Sequence, residues 1–283
     1  MASQSAATAT TEYVEVDGDK IAYRSVGAGS PMLLLNRMRG TIDTWDPLFL
    51  DQLAETNRVI TVDYPGIGYS AGTLPSSMSG AATFAISFAS AINVQRFAVL
   101  GWSWGGLVSQ TLLLEHPQQV SHAILVGTNP PGKDRIPLQQ VFLERAFKPI
   151  NDLADEEVLF FEPKSDVSLK AARASRDRIY ARPGVASRIP STMEEIKAYI
   201  EAAEVFFNDD ADQRKKLTET RTPILIVCGD NDTSTAGQNW FPLVGKMRNA
   251  QLIVYPETGH GPQHQYPELT AKYVATFLRH AVS

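Results

Sequence analysis

A serine flanked by glycines stands where an apolar run gives way to a helical pattern. Residues 101–105 form a G-x-S-x-G motif, and the apolar run 97–100 precedes it. A sharp turn from strand to helix strains its central residue and requires small residues two positions away. The pattern predicts that Ser103 stands at a helix N-terminus, where its hydroxyl can attack a carbonyl. There the helix dipole and the N–H of Trp104 could stabilise an oxyanion.

A serine hydroxyl needs a general base, and the chain has five histidines. His260 follows an apolar run in a loop with glycines on both sides, at the carboxyl ends of the strands, where such sites lie. His264 is the competitor, with a surface-loop histidine as its alternative interpretation. His116, His122 and His280 fall at a helix end, a strand start and the last helix. We therefore expect His260 to be the base.

The base in turn needs a carboxylate that orients the imidazole and stabilises its cation. The apolar run 224–227 leads into two candidates, Asp230 and Asp232. An Asp in such a turn can also accept hydrogen bonds from local N–H groups. The residues alone leave both aspartates open.

Short apolar runs alternate with helical periodicity, which is typical of a mostly parallel sheet covered by helices. We expect an α/β fold with an eight-stranded, mostly parallel sheet flanked by helices. The predicted strands cover residues 13–16, 21–24, 32–35, 58–62, 97–100, 123–126, 224–227 and 252–255. The predicted helices cover 45–55, 79–92, 104–115 and a C-terminal stripe over 269–278.

The stretch 129–222 breaks this alternation, because it is rich in charges and shows only helical spacing, mainly over 196–207 and more loosely over 138–146. We interpret it as a helical cap or lid inserted into a core made of residues 12–128 and 223–283. Residues 1–11 begin with small, polar, uncharged side chains and do not resemble a secretory signal. They are expected to form a flexible lead-in.

From about residue 12 onward, these features resemble the α/β-hydrolase fold family. The resemblance implies that His260 is the family's Gly-His position. The family's G-x-x-D pattern implies that Asp232 is the acid and that Asp230 is a turn residue. Serine, aspartate and histidine then follow in the chain order typical of this fold. Asp63 resembles the aspartate of the family's D-x-x-G turn, which usually supports loops.

The loop after the third strand departs from the family pattern. Most relatives have His-Gly where this chain has Asn36 and Arg37. The loop resembles a subgroup with a motif close to R-x-R-G-T-x-D-x-W-D-P. The family register implies that the N–H groups of Met38 and Trp104 form the oxyanion hole. The N–H of Arg37 is the alternative donor.

Two arginines in this loop have two interpretations. Arg37 and Arg39 could bind a carboxylate or carbonyl of the substrate. The favoured interpretation is local pairing with Asp43 and Asp46, which are close in sequence. Asp46 is also the predicted N-cap of the first helix, which Pro47 would begin.

The candidate substrate contacts are Trp102, Trp104, Met38 and Arg37, and most of the site is expected to be hydrophobic. A tryptophan that faces the cleft would offer a flat surface on which an aromatic or extended acyl group of the substrate could stack. The alternative for Trp102 is that it packs inward. Phenylalanines of the insertion should divide between substrate contacts and local core: Phe142, Phe147, Phe160, Phe161, Phe206 and Phe207.

Composition narrows the function classes. The single cysteine excludes an intrachain disulfide and a cysteine metal motif. The net charge of −5, without a basic run, argues against nucleic-acid and anionic-membrane partners. No apolar run is long enough to span a membrane. We expect a soluble, cytoplasmic enzyme that acts on a small molecule without a metal or cofactor.

The leading prediction is a serine hydrolase that cleaves a carboxylic ester, lactone or thioester through an acyl-enzyme. Related enzymes with an aspartate nucleophile, the haloalkane dehalogenases and epoxide hydrolases, are disfavoured by Ser103. Reactions that share the triad stay open: C–C bond hydrolysis, aminopeptidase, perhydrolase and cofactor-free oxygenase activity. A ligand receptor with slow turnover is the alternative from another class.

Overall fold

One sheet forms the centre of the molecule in a computed structural model, which describes residues 4–281. Its strands are β1 (Glu12–Val16), β2 (Asp19–Val26), β3 (Ser30–Leu35), β4 (Asn57–Val62), β5 (Phe97–Trp102), β6 (Val120–Val126), β7 (Ile224–Gly229) and β8 (Ala250–Tyr255). They are ordered β1-β2-β4-β3-β5-β6-β7-β8. The pairs β1–β2 and β2–β4 are antiparallel, and the other pairs are parallel. The predicted eight-stranded, mostly parallel sheet is confirmed.

Helices cover both faces of this sheet. They are α1 (Pro47–Ala54), α2 (Met78–Ala91), α3 (Trp104–Glu115), α4 (Gln140–Ala146), α5 (Leu153–Phe160), α6 (Asp166–Tyr180), α7 (Met193–Ala202), α8 (Glu204–Asn208), α9 (Gln213–Glu219), α10 (Phe241–Val244), α11 (Pro262–Gln265) and α12 (Pro267–His280). Short 3-10 helices cover Ala186–Arg188 and Gly237–Trp240. Within residues 4–281, no helix is both long and apolar enough to cross a membrane.

The sheet separates two apolar cores, which explains why its central strands read as continuous apolar runs. Phe88 of α2 and Leu112 of α3 are fully buried in the core on one face. Phe49 of α1 and Val274 of α12 are fully buried in the core on the other face. We call the sheet with these four helices the body. The carboxyl ends of its parallel strands carry the loops discussed below.

Helices α4–α9 all lie between β6 and β7, in the stretch 129–222, which we call the helical segment. The helix expected over 196–207 divides after Ala202 into α7 and α8. Helix α6 was not predicted individually, since its buried residues are small or polar: Ser168, Ala172 and Ser175. A helix that packs through such side chains has no apolar stripe to read from the sequence.

Within the stretch 1–11, which was expected to form a flexible lead-in, the described residues from Ser5 to Ala9 contact the rest of the fold. Ala6 and Ala9 are buried. The carboxylate of Asp51 accepts hydrogen bonds from the Ser5 hydroxyl (2.6 Å) and the Ala6 N–H (2.7 Å). Arg182 donates to the carbonyls of Ala7 and Ala9 at 2.9 and 3.0 Å. The small side chains let this backbone approach the body closely, and residues 1–3 lie outside the described range.

Candidate active site

Ser103 occupies a strained turn between β5 and α3. Its backbone angles are φ 56° and ψ −115°, a left-handed φ that is costly for a residue with a side chain. A Cβ added to Gly101 would collide with the carbonyl of Gly105, and one added to Gly105 would collide with the carbonyl of Leu35. The two glycines are therefore needed for the turn that lifts the serine above the strand ends. The carbonyl of Ser103 accepts a hydrogen bond from the Thr128 hydroxyl at 2.8 Å.

His260 and Asp232 form a buried pair on adjacent loops. The Nδ1 atom of His260 lies 2.8 Å from Oδ2 of Asp232, so Nδ1–H is the donor when the ring is neutral. Oδ1 of Asp232 accepts the N–H groups of Ser234 and Thr235, both at 2.8 Å. The Thr235 hydroxyl donates to Oδ2 at 2.7 Å. With Nδ1 occupied in this way, Nε2 of the imidazole is left as the acceptor.

Burial and hydrogen bonding act in opposite directions on Asp232. Burial alone would raise the pKa of its carboxyl, because a charge is poorly solvated there. Interaction with His260 and hydrogen bonds from Thr235 outweigh this effect and hold the pKa of Asp232 below its ordinary value. Asp232 is therefore ionised at neutral pH and can stabilise a positively charged His260.

Ser103 and His260 line one cavity of about 580 Å³. Across residues 4–281, no hydrogen bond joins the Ser103 hydroxyl to His260. Such contacts are often long without substrate and shorten in the reacting complex. The sequence-predicted serine, histidine and aspartate thus meet at one rim of the sheet, with the serine and histidine facing the same space.

Two backbone N–H groups near Ser103 have no protein acceptor in the described part of the chain. Trp104 is the first residue of α3, so its N–H has no partner within the helix. Met38 precedes Arg39, whose φ of 62° is also left-handed, and the Gly40 N–H closes this turn on the Arg37 carbonyl at 2.9 Å. Met38 and Trp104 both line the cavity. Their free N–H groups fit the donors expected of an oxyanion hole.

Arg39 does not pair with the neighbouring aspartates, so the expected local pairing is wrong for this residue. Its guanidinium is buried and donates to backbone carbonyls of the helical segment. The acceptors are Pro190 (2.6 Å), Ala146 (2.9 Å), Lys148 (2.8 Å) and Pro149 (2.7 Å). These acceptors lie more than 100 positions away in sequence, where no local pattern could reveal them. The loop that carries Met38 is thereby fixed to the helical segment.

The two aspartates of this loop, Asp43 and Asp46, bind arginines that lie outside the loop. The expected pairing of these aspartates with Arg37 and Arg39 is therefore wrong. Asp46 caps α1, as predicted, by accepting the Leu48 N–H. Its carboxylate also accepts two hydrogen bonds from Arg178, at 2.8 and 2.6 Å. Asp43 pairs with Arg24 at 2.6 Å and with Arg182 at 3.6 Å. We call the contacts of Arg39, Arg178 and Arg182 the arginine seam, because all three join the helical segment to the loop after β3.

His264 is a buried histidine, not the surface-loop residue that the sequence suggested. Its Nε2 accepts the N–H of Asp46 at 3.2 Å. Its ring packs edge-on against Trp102, with the ring centroids 4.7 Å apart. Burial lowers the pKa of His264 to about 4, so the ring is neutral at neutral pH. It supports the seam and does not reach the cavity.

Trp102 does not line the cavity, which corrects its assignment as a substrate contact. It is fully buried, and its indole N–H donates to the His260 carbonyl at 2.8 Å. Trp102 packs in the core on one face of the sheet, and Trp104 packs in the core on the other face. Trp104 does line the cavity, and its indole N–H donates to the Tyr199 carbonyl at 3.0 Å. Through its hydrogen bond to the His260 carbonyl, Trp102 supports the loop that carries His260.

The six phenylalanines of the helical segment divide between cavity and core. Phe161 and Phe206 are buried away from the cavity. The other four line it: Phe142, Phe147, Phe160 and Phe207.

Asp63 has the supporting role expected of it. Its carboxylate accepts the N–H groups of Ile42 (2.7 Å) and Tyr69 (2.9 Å). Burial raises the pKa of Asp63 to about 7. Through its two hydrogen bonds, Asp63 holds the loop after β3 to the loop after β4.

Sequence reasoning missed several polar groups at the cavity. Thr235 touches both Asp232 and His260, at 2.7 and 3.3 Å. Glu156 and Arg176 line the cavity from α5 and α6. Only the folded helices bring these two residues together, so no spacing signal reveals them. In the described residues no group of three histidine, cysteine, aspartate or glutamate side chains could hold a metal ion.

The fold and this geometry agree with the comparison to known families. Residues 31–267 match the model of the alpha/beta hydrolase fold, which covers most of the chain. The chain therefore belongs to the alpha/beta hydrolase fold family.

Individual relatives support a hydrolytic enzyme. An alpha/beta hydrolase fold protein from Chitinophaga pinensis superposes with a TM-score of 0.86 at 29% identity, covering 98% of this chain and 100% of that chain. A pimeloyl-[acyl-carrier protein] methyl ester esterase from Nitrosomonas europaea is 23% identical, over 88% of this chain and 95% of that protein. A 2-hydroxy-6-oxononadienedioate/2-hydroxy-6-oxononatrienedioate hydrolase from Burkholderia vietnamiensis is 24% identical, over 96% of both chains.

Proposed function

We propose that the protein is a serine hydrolase that cleaves a carboxylic ester, lactone or thioester of a largely apolar small molecule through an acyl-enzyme. Ser103 is the nucleophile, His260 the general base and Asp232 the acid that orients it. The observation that carries the proposal is the buried hydrogen bond of 2.8 Å between Asp232 and His260, beside a cavity that Ser103 enters from a strained turn.

In the first half-reaction, Nε2 of His260 takes the proton of the Ser103 hydroxyl while Oγ bonds to the carbonyl carbon. The carbonyl oxygen becomes an oxyanion, which the N–H groups of Met38 and Trp104 bind. Asp232 stabilises the imidazolium that forms. His260 then gives its proton to the leaving alcohol or thiol as the bond to the carbonyl carbon breaks.

In the second half-reaction, a water molecule loses a proton to His260 as its oxygen bonds to the acyl carbon. The bond between this carbon and Oγ breaks, and the proton returns to Ser103. The carboxylic acid and the free enzyme are released. No redox partner is needed for either step.

The helical segment acts as a lid in this proposal. Helices α4, α5, α6 and α7 all contribute residues to the cavity that Ser103 lines. Phe142 of α4 lies edge-on to His260, with ring centroids 5.9 Å apart. An apolar cover of this kind excludes bulk water from the oxyanion and strengthens the hydrogen bonds to it.

A fluorophosphonate probe tests the nucleophile directly. We expect one covalent adduct, which mass spectrometry places on Ser103, and no adduct in Ser103→Ala. Turnover of esters, lactones and thioesters should disappear with Ser103→Ala. An adduct on another residue, or turnover that survives this substitution, would refute the assignment.

Two histidines four positions apart provide a matched pair for the base. His260→Gln should lower kcat by about 1000-fold or more, since it removes the proton acceptor. His264→Gln should retain most of the turnover at pH 7.5, because the Gln amide oxygen can accept the Asp46 N–H. The opposite ranking would exchange the roles of the two histidines. Including C–C bond substrates in the same panel tests the alternative reaction class.

A further inference from the structure

The cavity wall carries a positive charge in an acidic protein. Its charged residues are one glutamate and four arginines: Glu156, Arg37, Arg39, Arg135 and Arg176. Among the described residues that line the cavity there is no aspartate or lysine, and the chain as a whole has a net charge of −5. Since most of the remaining wall is apolar, this charge is concentrated where a substrate binds. It favours a ligand with an anionic group.

Two arginines of the wall, Arg37 and Arg135, have no ion pair and one backbone acceptor each among the described residues, and Arg37 is the one that adjoins Met38. Its Nη1 donates to the Met38 carbonyl at 2.9 Å, while its buried Nε finds no hydrogen-bond acceptor among the residues that the structure describes. Across residues 4–281, no carboxylate lies within 4 Å of its guanidinium. The guanidinium stacks over the ring of Phe160, with Cζ 4.4 Å from the centroid. Burial lowers the pKa of Arg37 to about 10, so it keeps its charge at neutral pH.

Glu156, the carboxylate among the described residues of the wall, already has partners in the protein. Glu156 forms an ion pair with Arg176 and accepts a hydrogen bond from the Tyr180 hydroxyl at 2.9 Å. Its charge acts on the pKa of Arg37 only from a distance. The Arg37 side chain is partly exposed and lines the cavity, and only its Nε is buried without an acceptor. A carboxylate supplied by the ligand would give this guanidinium the charge-assisted hydrogen bonds that it lacks.

We infer that Arg37 forms a carboxylate-binding subsite, and that the substrate is an apolar ester-type compound with a second, free carboxylate. This inference rests on the proposed function for the position of the reacting carbonyl. Arg37 directly precedes Met38, whose N–H binds the oxyanion in that proposal. The free carboxylate and the reacting carbonyl are then held by adjacent residues of one loop, and the apolar chain between them lies along the phenylalanine wall.

Two esters of equal chain length test this subsite. Monomethyl suberate carries a free carboxylate, and methyl octanoate replaces it with a methyl group. We expect the wild-type kcat/KM to favour monomethyl suberate by 10-fold or more. Arg37→Met keeps the length of the side chain and removes the charge, and it should reduce this ratio by about 10- to 100-fold. Wild-type preference for methyl octanoate, or an unchanged ratio in Arg37→Met, would overturn the inference.

Two further variants exclude general charge effects. Arg173→Met removes an exposed arginine from α6, outside the cavity, and should leave the ratio unchanged. Glu156→Gln removes the negative charge that the described wall residues supply and should raise the ratio. If Arg173→Met lowers the ratio as much as Arg37→Met does, the preference reflects overall charge and the subsite is refuted.

Binding without turnover separates this inference from the proposed function. Calorimetry of monomethyl suberate with Ser103→Ala should give a Kd that Arg37→Met, added to it, weakens by about 10-fold or more. Arg173→Met added to Ser103→Ala is the control. An unchanged Kd in the Arg37 variant would overturn the subsite even if the fluorophosphonate labels Ser103. A labelling failure with a weakened Kd would instead overturn only the proposed chemistry.

Discussion

The body and the arginine seam are held together by different forces. In the body, fully buried side chains pack on both faces of the sheet, for example Phe88 on one face and Phe49 on the other. At the seam, Arg39 donates to four backbone carbonyls and Arg178 binds Asp46 with two hydrogen bonds. Apolar burial is non-directional, whereas these contacts need one geometry. The body therefore provides stability, and the seam determines where the helical segment lies above Ser103.

The largest effect on stability should come from the body. Phe88 is fully buried, lies edge-on to Tyr23 and stacks on Phe84. Phe88→Ala should lower the free energy of unfolding by about 4 kcal/mol, through lost burial and the cavity it leaves. The measurement is urea unfolding followed by circular dichroism. In the folded variant kcat/KM should stay near the wild-type value, because no cavity residue changes. A loss below about 1 kcal/mol would contradict the role assigned to this core.

The difference between the two regions also explains what could be predicted from the sequence. Central strands that are buried on both faces require continuous apolar runs, so β3, β4, β5 and β7 were visible in advance. Ser103 was visible because its turn requires glycines at 101 and 105. His260 and Asp232 follow strand ends, where position narrowed the candidates, and the resemblance to the family's G-x-x-D pattern chose Asp232 over Asp230. Each of these features depends on residues that are close in sequence.

The seam and the cavity wall depend on residues that are distant in sequence. Arg39 meets Pro190 across 151 positions, and Arg178 meets Asp46 across 132. A local pattern favoured pairing of Arg39 with its neighbours, but the folded helical segment offers more acceptors. From the sequence, His264 resembled a surface-loop residue. Its ring packs against Trp45 and Trp102, which are far away in sequence, so no nearby residue reveals that it is buried. Sequence therefore gave more information about which residues could do chemistry than about which residues line the cavity around them.

Arg39→Met should have the second largest effect on stability and should also affect catalysis. Removing the buried guanidinium leaves several carbonyls without a donor, which we expect to cost about 3 kcal/mol. The loop that carries Met38 loses its attachment to the helical segment, so kcat should fall by about 10-fold or more. Phe88→Ala is the control, because it loses stability without this loss of kcat. Equal kcat values in both variants would show that the seam does not position the oxyanion loop.

The smallest effect on stability should come from protonation of His264, whose Nε2 accepts the N–H of Asp46, the partner of Arg178 in the arginine seam. The pKa of His264 in the folded protein, about 4, lies below the ordinary value of 6.5, so folding favours the neutral ring. The stability it contributes is present above pH 6.5 and is lost as the pH falls from 6.5 toward 4. Between pH 7 and pH 5, this linkage lowers the free energy of unfolding by about 2 kcal/mol.

His264→Gln removes this titration while keeping an acceptor for the Asp46 N–H. The difference in unfolding free energy between wild type and His264→Gln should therefore change by about 2 kcal/mol between pH 7 and pH 5. Asp63, whose pKa burial raises to about 7, titrates in both proteins and cancels in this difference. Phe88→Ala should show no such change with pH, since the ionisable ring that it contacts, Tyr23, has a pKa raised above its usual value of 10 by burial and does not titrate between pH 5 and pH 7. A difference that is flat with pH would mean that His264 gains a proton without disturbing Asp46, and that this end of the seam tolerates the charge.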